Sequence, residues 1–155
     1  FEQMTQDMMA DRPAFMRQFL HDFFGIGWLS KPVSSATLDW AWNMAMQGGL
    51  RPTLKAAEAF SSTDFRADLP AFNVPTLIIH GTSDTTVPID PTARMAAAMI
   101  SDVRLVEYAG SPHGLFETDR DRLISDLMAF LNGEEPRSQD EETFVINPAL
   151  PMGGY

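Results

Sequence analysis

Two hydrophobic periodicities divide the chain. Up to about residue 66, apolar residues recur at three- and four-residue steps, the spacing that gathers side chains on one helix face. Asp11 is placed to cap a helix with an early proline, Pro13. Phe15, Met16, Phe19, Leu20, Phe23 and Phe24 form its apolar stripe until Gly25 and Gly27 stop it. After the Lys31-Pro32 break, Ser34 or Ser35 starts a second helix carrying Leu38, Trp40, Trp42, Met44 and Met46, which Gly48-Gly49 ends; a third spans about Pro52 to Phe60.

From Asn73 the period shortens. VPTLIIH, Val74 to His80, is a continuous apolar run with β-branched residues, closed by Gly81, and predicts a strand buried on both faces. A helix from Pro91 to Ile100, a second strand VRLVEY from Val103 to Tyr108, and an amphipathic helix from Asp119 to Leu131 with Gly133 as its stop complete the pattern. Strand, helix, strand, helix predicts an α/β fold with a doubly wound parallel sheet.

Composition narrows the partners. At 155 residues with 45% hydrophobic and 21% charged positions, the chain can build a sizeable core. It has no apolar run near the ~20 residues that would cross a bilayer. Eleven basic against 21 acidic residues leave a net charge of −10, which repels phosphate backbones and anionic lipid heads and argues against nucleic acid or a membrane as partner. With no cysteine there is no disulfide framework and no thiolate chemistry. The start, FEQMTQDMM, has neither an initiator methionine nor a basic-then-apolar leader pattern; the expected location is cytoplasmic, and Phe1 is read as a point where a longer chain was cut.

In doubly wound sheets, functional groups lie beyond the carboxyl ends of the strands. Two loops occupy such positions: HGTSDTTVP, which offers Asp84, and AGSPHGLF, which offers His113 between a proline and a glycine. One helix and one strand separate them, which places the loops side by side. An aspartate beside a histidine accepts the Nδ1 proton, fixes the tautomer and stabilises the imidazolium formed when Nε2 takes a proton from a nucleophile. Taken singly, Asp84 serves equally as a turn or cap residue and His113 as a loop surface residue. His80 reads as a structural residue at a strand end, and no histidine has a neighbour at metal spacing.

Several stretches carry a family resemblance: ADRPAFM, MAMQGGL, AFSSTDFRADL, VPTLIIHG with SDTTVPID after it, and YAGSPHGLFETDRDRLISDLMAFLNG. They resemble the cofactor-free haloperoxidase, arylesterase and perhydrolase branch of the α/β-hydrolase fold, over residues 1 to about 133. The resemblance implies Asp84 as triad acid, His113 as triad base and no cofactor. It also implies a helical cap over residues 1–62 and the last two strands of the hydrolase core, with their helices, over 63–133. Small carboxylic esters or acids are the implied substrates, with hydrogen peroxide as an alternative acceptor. Val87 and Leu115, flanking the pair, and Phe19, Phe23, Trp28 and Trp42, in the first helices, are candidates for an apolar substrate pocket.

Two departures matter. Many relatives have a second acid after the His-Gly pair, where this chain has Thr82. More important, the nucleophile serine of G-x-S-x-G occurs nowhere in these 155 residues. The chain is therefore expected to be the carboxyl-terminal half of a serine hydrolase, inactive and unstable without an amino-terminal half. The alternative is a non-catalytic role: a half-domain that binds a partner through its sheet edge, or a truncated half-domain with no independent function. Residues 134–155, acidic and then broken by Pro and Gly, are expected to form a flexible tail.

Overall fold

The computed structural model describes residues 2–134 and 145–146, and the chain divides into two units, Phe1–Asp64 and Phe65–Tyr155. The first unit is helical: α1 (Glu2–Ala10), α2 (Arg12–Phe23), α3 (Ser35–Gln47) and α4 (Leu50–Ser62). Local chemistry sets its boundaries. Asp11 accepts from the Ala14 amide (3.0 Å) at the start of α2, and Ser34 accepts from the Thr37 amide (3.0 Å) at the start of α3, each satisfying an amide that the helix itself leaves unpaired. Pro13 stands in the first turn of α2, where a missing N–H costs nothing. Leu20 and Phe24 pack against Leu38 and Ala41 to form the core of this unit.

The second unit carries the sheet. A 3₁₀ turn (Leu69–Ala71) leads to β1 (Thr76–Gly81), followed by a π-helical turn (Asp90–Arg94) and α5 (Met95–Met99). Next come β2 (Val103–Tyr108), α6 (Leu115–Thr118), α7 (Arg120–Leu131) and a two-residue β3 (Val145–Ile146). β1 and β2 are parallel, in register from Thr76 opposite Val103 to Gly81 opposite Tyr108, and β3 pairs antiparallel with β2. Ile89, Ala93, Ala97, Ile100, Val103 and Leu105 form the core between the sheet and its crossover. Burial of side chains of the Leu and Ile class contributes about 1.5–3 kcal/mol each.

Three expectations are revised or left aside. The helix from Pro91 to Ile100 is not continuously α-helical. Thr92 Oγ1 donates to the Pro88 carbonyl (2.6 Å), the group its own amide would use in an α-helix, and the Arg94 amide reaches the Ile89 carbonyl five residues back. Such hydroxyl bonding widens a turn. β1 is half-buried along Thr76–His80, where burial on both faces was expected, because β2 is its sole neighbour among the described residues. The tail expectation falls mainly on residues outside those described; within it, Val145–Ile146 add to the sheet.

A buried polar rivet holds the end of β2. Tyr108, with no exposed surface, donates its hydroxyl to Asp126 Oδ2 on α7 (2.6 Å), and Arg122 lies over the Tyr108 ring at 3.9 Å. Burial pushes the Tyr108 phenol well above its ordinary range, and the hydrogen bond to a neighbouring carboxylate pushes it further. The unfolded chain loses this proton near pH ~10 and the folded chain keeps it, so stability should fall as pH rises above about 10. In an ultraviolet alkaline titration, tyrosinate from Tyr108 should appear together with loss of the folded circular dichroism signal. Tyrosinate forming at that residue while the fold persists would contradict the assignment.

Candidate active site

Because Gly81 is level with Tyr108, the loops that follow β1 and β2 start side by side, and hydrogen bonds join them. The Thr82 amide donates to the Tyr108 carbonyl (2.9 Å), the Ser83 amide to the Ser111 carbonyl (3.1 Å), and the Gly110 amide to Thr82 Oγ1 (2.8 Å). Thr82 thus serves as an acceptor between the loops. The closest approach is at Gly81. A Cβ there would lie 2.7 Å from the Pro112 carbonyl oxygen and closer still to that of Ser111, so glycine alone lets the two backbones meet.

Asp84 lies in the first loop with its side chain 2% exposed, and its two oxygens do different work. Oδ1 accepts from the amides of Thr86 (2.9 Å) and Val87 (2.8 Å), closing a tight turn. Oδ2 faces the second loop, 2.7 Å from His113 Nδ1. Asp84 therefore closes the turn through one oxygen and meets His113 through the other. A carboxylate accepts only, so His113 Nδ1 carries the proton it donates, and in the neutral ring Nε2 holds the lone pair. The His113 side chain is 34% exposed, and the ring can meet a substrate. This is the orientation in which an imidazole takes a proton through Nε2 while a buried carboxylate stabilises the resulting cation.

Comparison with known proteins decides the family. A profile described as alpha/beta hydrolase fold matches residues 2–120. The chain belongs to the alpha/beta hydrolase family. It is 34% identical over 134 residues to non-heme chloroperoxidase CPO-A1 from Kitasatospora aureofaciens, covering 85% of this chain and 49% of that protein. It is 35% identical over 137 residues to the bifunctional esterase/perhydrolase DCH from Acinetobacter calcoaceticus, covering 84% and 48%. The solved structure of a bromoperoxidase from Bacillus anthracis superposes with a TM-score of 0.81 at 37% identity, over 84% of this chain and 48% of that one. The chain thus spans about half the length of the curated relatives it matches.

The remaining candidates fall in different places in this alpha/beta hydrolase chain. Val87 is half-buried in the Asp84 loop, where its amide holds Oδ1, and half-buried Leu115 opens α6 just after His113. Phe19, Phe23 and Trp42 pack against the core of the helical unit, and Trp42 Nε1 donates to the Pro13 carbonyl (3.0 Å). Trp28 is 93% exposed. His80, read from the sequence as structural, has Nε2 3.2 Å from Asp84 Oδ2 and 2.9 Å from the Val87 carbonyl oxygen. Its signal was a polar ring four residues before the acid, across a turn. No group of three or more potential metal ligands occurs among the described residues.

Proposed function

We propose that this chain supplies the acid and base of a serine hydrolase acting on small carboxylic esters, with perhydrolysis as a second reaction at the same site. The observation that carries this reading is the 2.7 Å contact of His113 Nδ1 with Asp84 Oδ2, in a loop pair at the carboxyl ends of parallel strands. The serine lies outside these 155 residues. Its hydroxyl proton passes to His113 Nε2 as the oxygen attacks the ester carbonyl. His113 returns that proton to the departing alcohol, and an acyl-enzyme remains. Water attacks the acyl-enzyme, giving its proton to His113, and the carboxylic acid leaves as the serine is re-protonated. With hydrogen peroxide in place of water the product is a peracid, which oxidises halide. The relatives' names, chloroperoxidase and esterase/perhydrolase, support both reactions for this chain. The helical unit is assigned as the cap by the same resemblance.

Complementation tests the proposal. This chain mixed with the amino-terminal half of a relative should gain turnover of p-nitrophenyl acetate that neither half shows alone. Peroxide and bromide added to the same mixture should divert the acyl group to peracid, which oxidises bromide, read as bromination of an organic acceptor. A correctly assembled complex without ester turnover would remove the reading.

A further inference from the structure

His80 is not used by the mechanism above, yet it touches the acid. Its ring is largely buried, with the side chain 14% exposed, and Nε2 faces two oxygens: the Val87 carbonyl at 2.9 Å and Asp84 Oδ2 at 3.2 Å. Both are acceptors, so Nε2 must carry hydrogen. We propose that His80 is a positioning residue for the acid. Its Nε2–H bonds the Val87 carbonyl, which holds the loop closed, and the positive edge this presents 3.2 Å from Asp84 Oδ2 keeps that oxygen aligned on His113. The proposal rests on the hydrolase reading for its kinetic consequence and on geometry alone for the tautomer.

The loop shows why such a clamp matters. Val87 is gripped at both ends of its backbone, its amide by Asp84 Oδ1 and its carbonyl by His80. Asp84 in turn is held on both oxygens, Oδ1 by two amides and Oδ2 by His113, with the His80 ring nitrogen 3.2 Å from Oδ2. A carboxylate ligated on both oxygens cannot rotate about its terminal bond without breaking contacts, so His113 meets one fixed acceptor. The anchor for His80 itself is β1, a rigid element, where it stands opposite Glu107 in the register. Other charges facing this part of the sheet are Glu107, Arg94 and Asp90. Arg94 reaches across from the π-helical turn to Glu107 on β2 and pairs with Asp90 within its own turn.

The test uses the folded full chain, assembled as in the complementation assay, with His80→Phe and His80→Gln. Phenylalanine keeps the ring and loses the donor; glutamine restores an N–H of similar reach. Long-range proton–nitrogen correlation spectra of histidine should show His80 as the Nε2–H tautomer and a hydrogen-bonded, slowly exchanging Nδ1–H on His113. His80→Phe should lose that protected His113 proton and lower kcat about 10- to 100-fold with KM unchanged, as small misplacements of catalytic groups do; His80→Gln should restore both. An Nδ1–H tautomer at His80, or a His80→Phe protein with kcat and the His113 proton intact, would overturn the proposal. If His80→Phe fails to fold, the wild-type tautomer and His80→Gln still decide it. Should the hydrolase reading fail, the spectra judge His80 independently of turnover.

Discussion

In the complemented enzyme proposed above, asparagine in place of Asp84 should leave the loop folded and lower kcat for ester hydrolysis by about four orders of magnitude, as loss of the triad carboxylate does in a serine protease. The amide oxygen can replace Oδ1 and still accept from the Thr86 and Val87 amides, so the turn persists. The amide nitrogen then replaces Oδ2 and presents hydrogen to a ring nitrogen that had been donating. His113 answers by changing tautomer, so that Nδ1 accepts and Nε2 carries the proton. An imidazole protonated at Nε2 cannot take a proton from a nucleophile. The measurements are kcat, the His113 tautomer by nitrogen chemical shift, and the melting temperature. Near-normal turnover with the Nε2–H tautomer in place would refute the role given to Asp84.

The second large effect is steric. Gly81→Ala places a methyl group against two backbone carbonyl oxygens, those of Ser111 and Pro112, neither of which can rotate away as a side-chain end could. The loops must separate. That strains the bonds from Thr82 to Tyr108 and from Ser83 to Ser111, and moves His113, two residues beyond Ser111, relative to Asp84, three beyond Gly81. A loss of about 1–3 kcal/mol in stability is expected, with about 100-fold or more in kcat from misalignment. Gly27, where an added Cβ meets nothing within 4 Å, is the control, and Gly27→Ala should leave both quantities nearly unchanged. Denaturant midpoints and kcat for the two variants decide the matter. Equal behaviour would mean that the loops do not meet as described.

The elements that local chemistry governs could be read directly from the chain. Asp11, Pro13 and Ser34 mark helix starts because a cap acts on amides within its own first turn. The apolar run ending in His80-Gly81 and the run Val103–Tyr108 mark strands because both are too short and too rich in β-branched residues to read otherwise. Once strand ends are known, the order acid then histidine puts Asp84 and His113 in neighbouring loops. The family pattern in the same residues pointed to the fold that the comparisons show.

Contacts between segments distant in sequence set the rest. Whether Phe19, Phe23 and Trp42 pack a core or line a pocket depends on what stands opposite each ring, and three- and four-residue spacing is the same in both cases. The π-helical turn arises where Thr92 bonds a carbonyl, and Arg94 in that turn is held by Glu107 on β2; a periodicity of apolar positions contains neither partner. Gly81 looks like an ordinary strand-ending glycine until the Ser111-Pro112 backbone is set against it, and the closeness of His80 Nε2 to Asp84 Oδ2 appears only once the turn is folded. Composition and spacing thus named the groups able to carry acid–base chemistry. Hydrogen bonds and steric contacts, which act over a few ångströms between residues far apart in the chain, settled which of those groups meet.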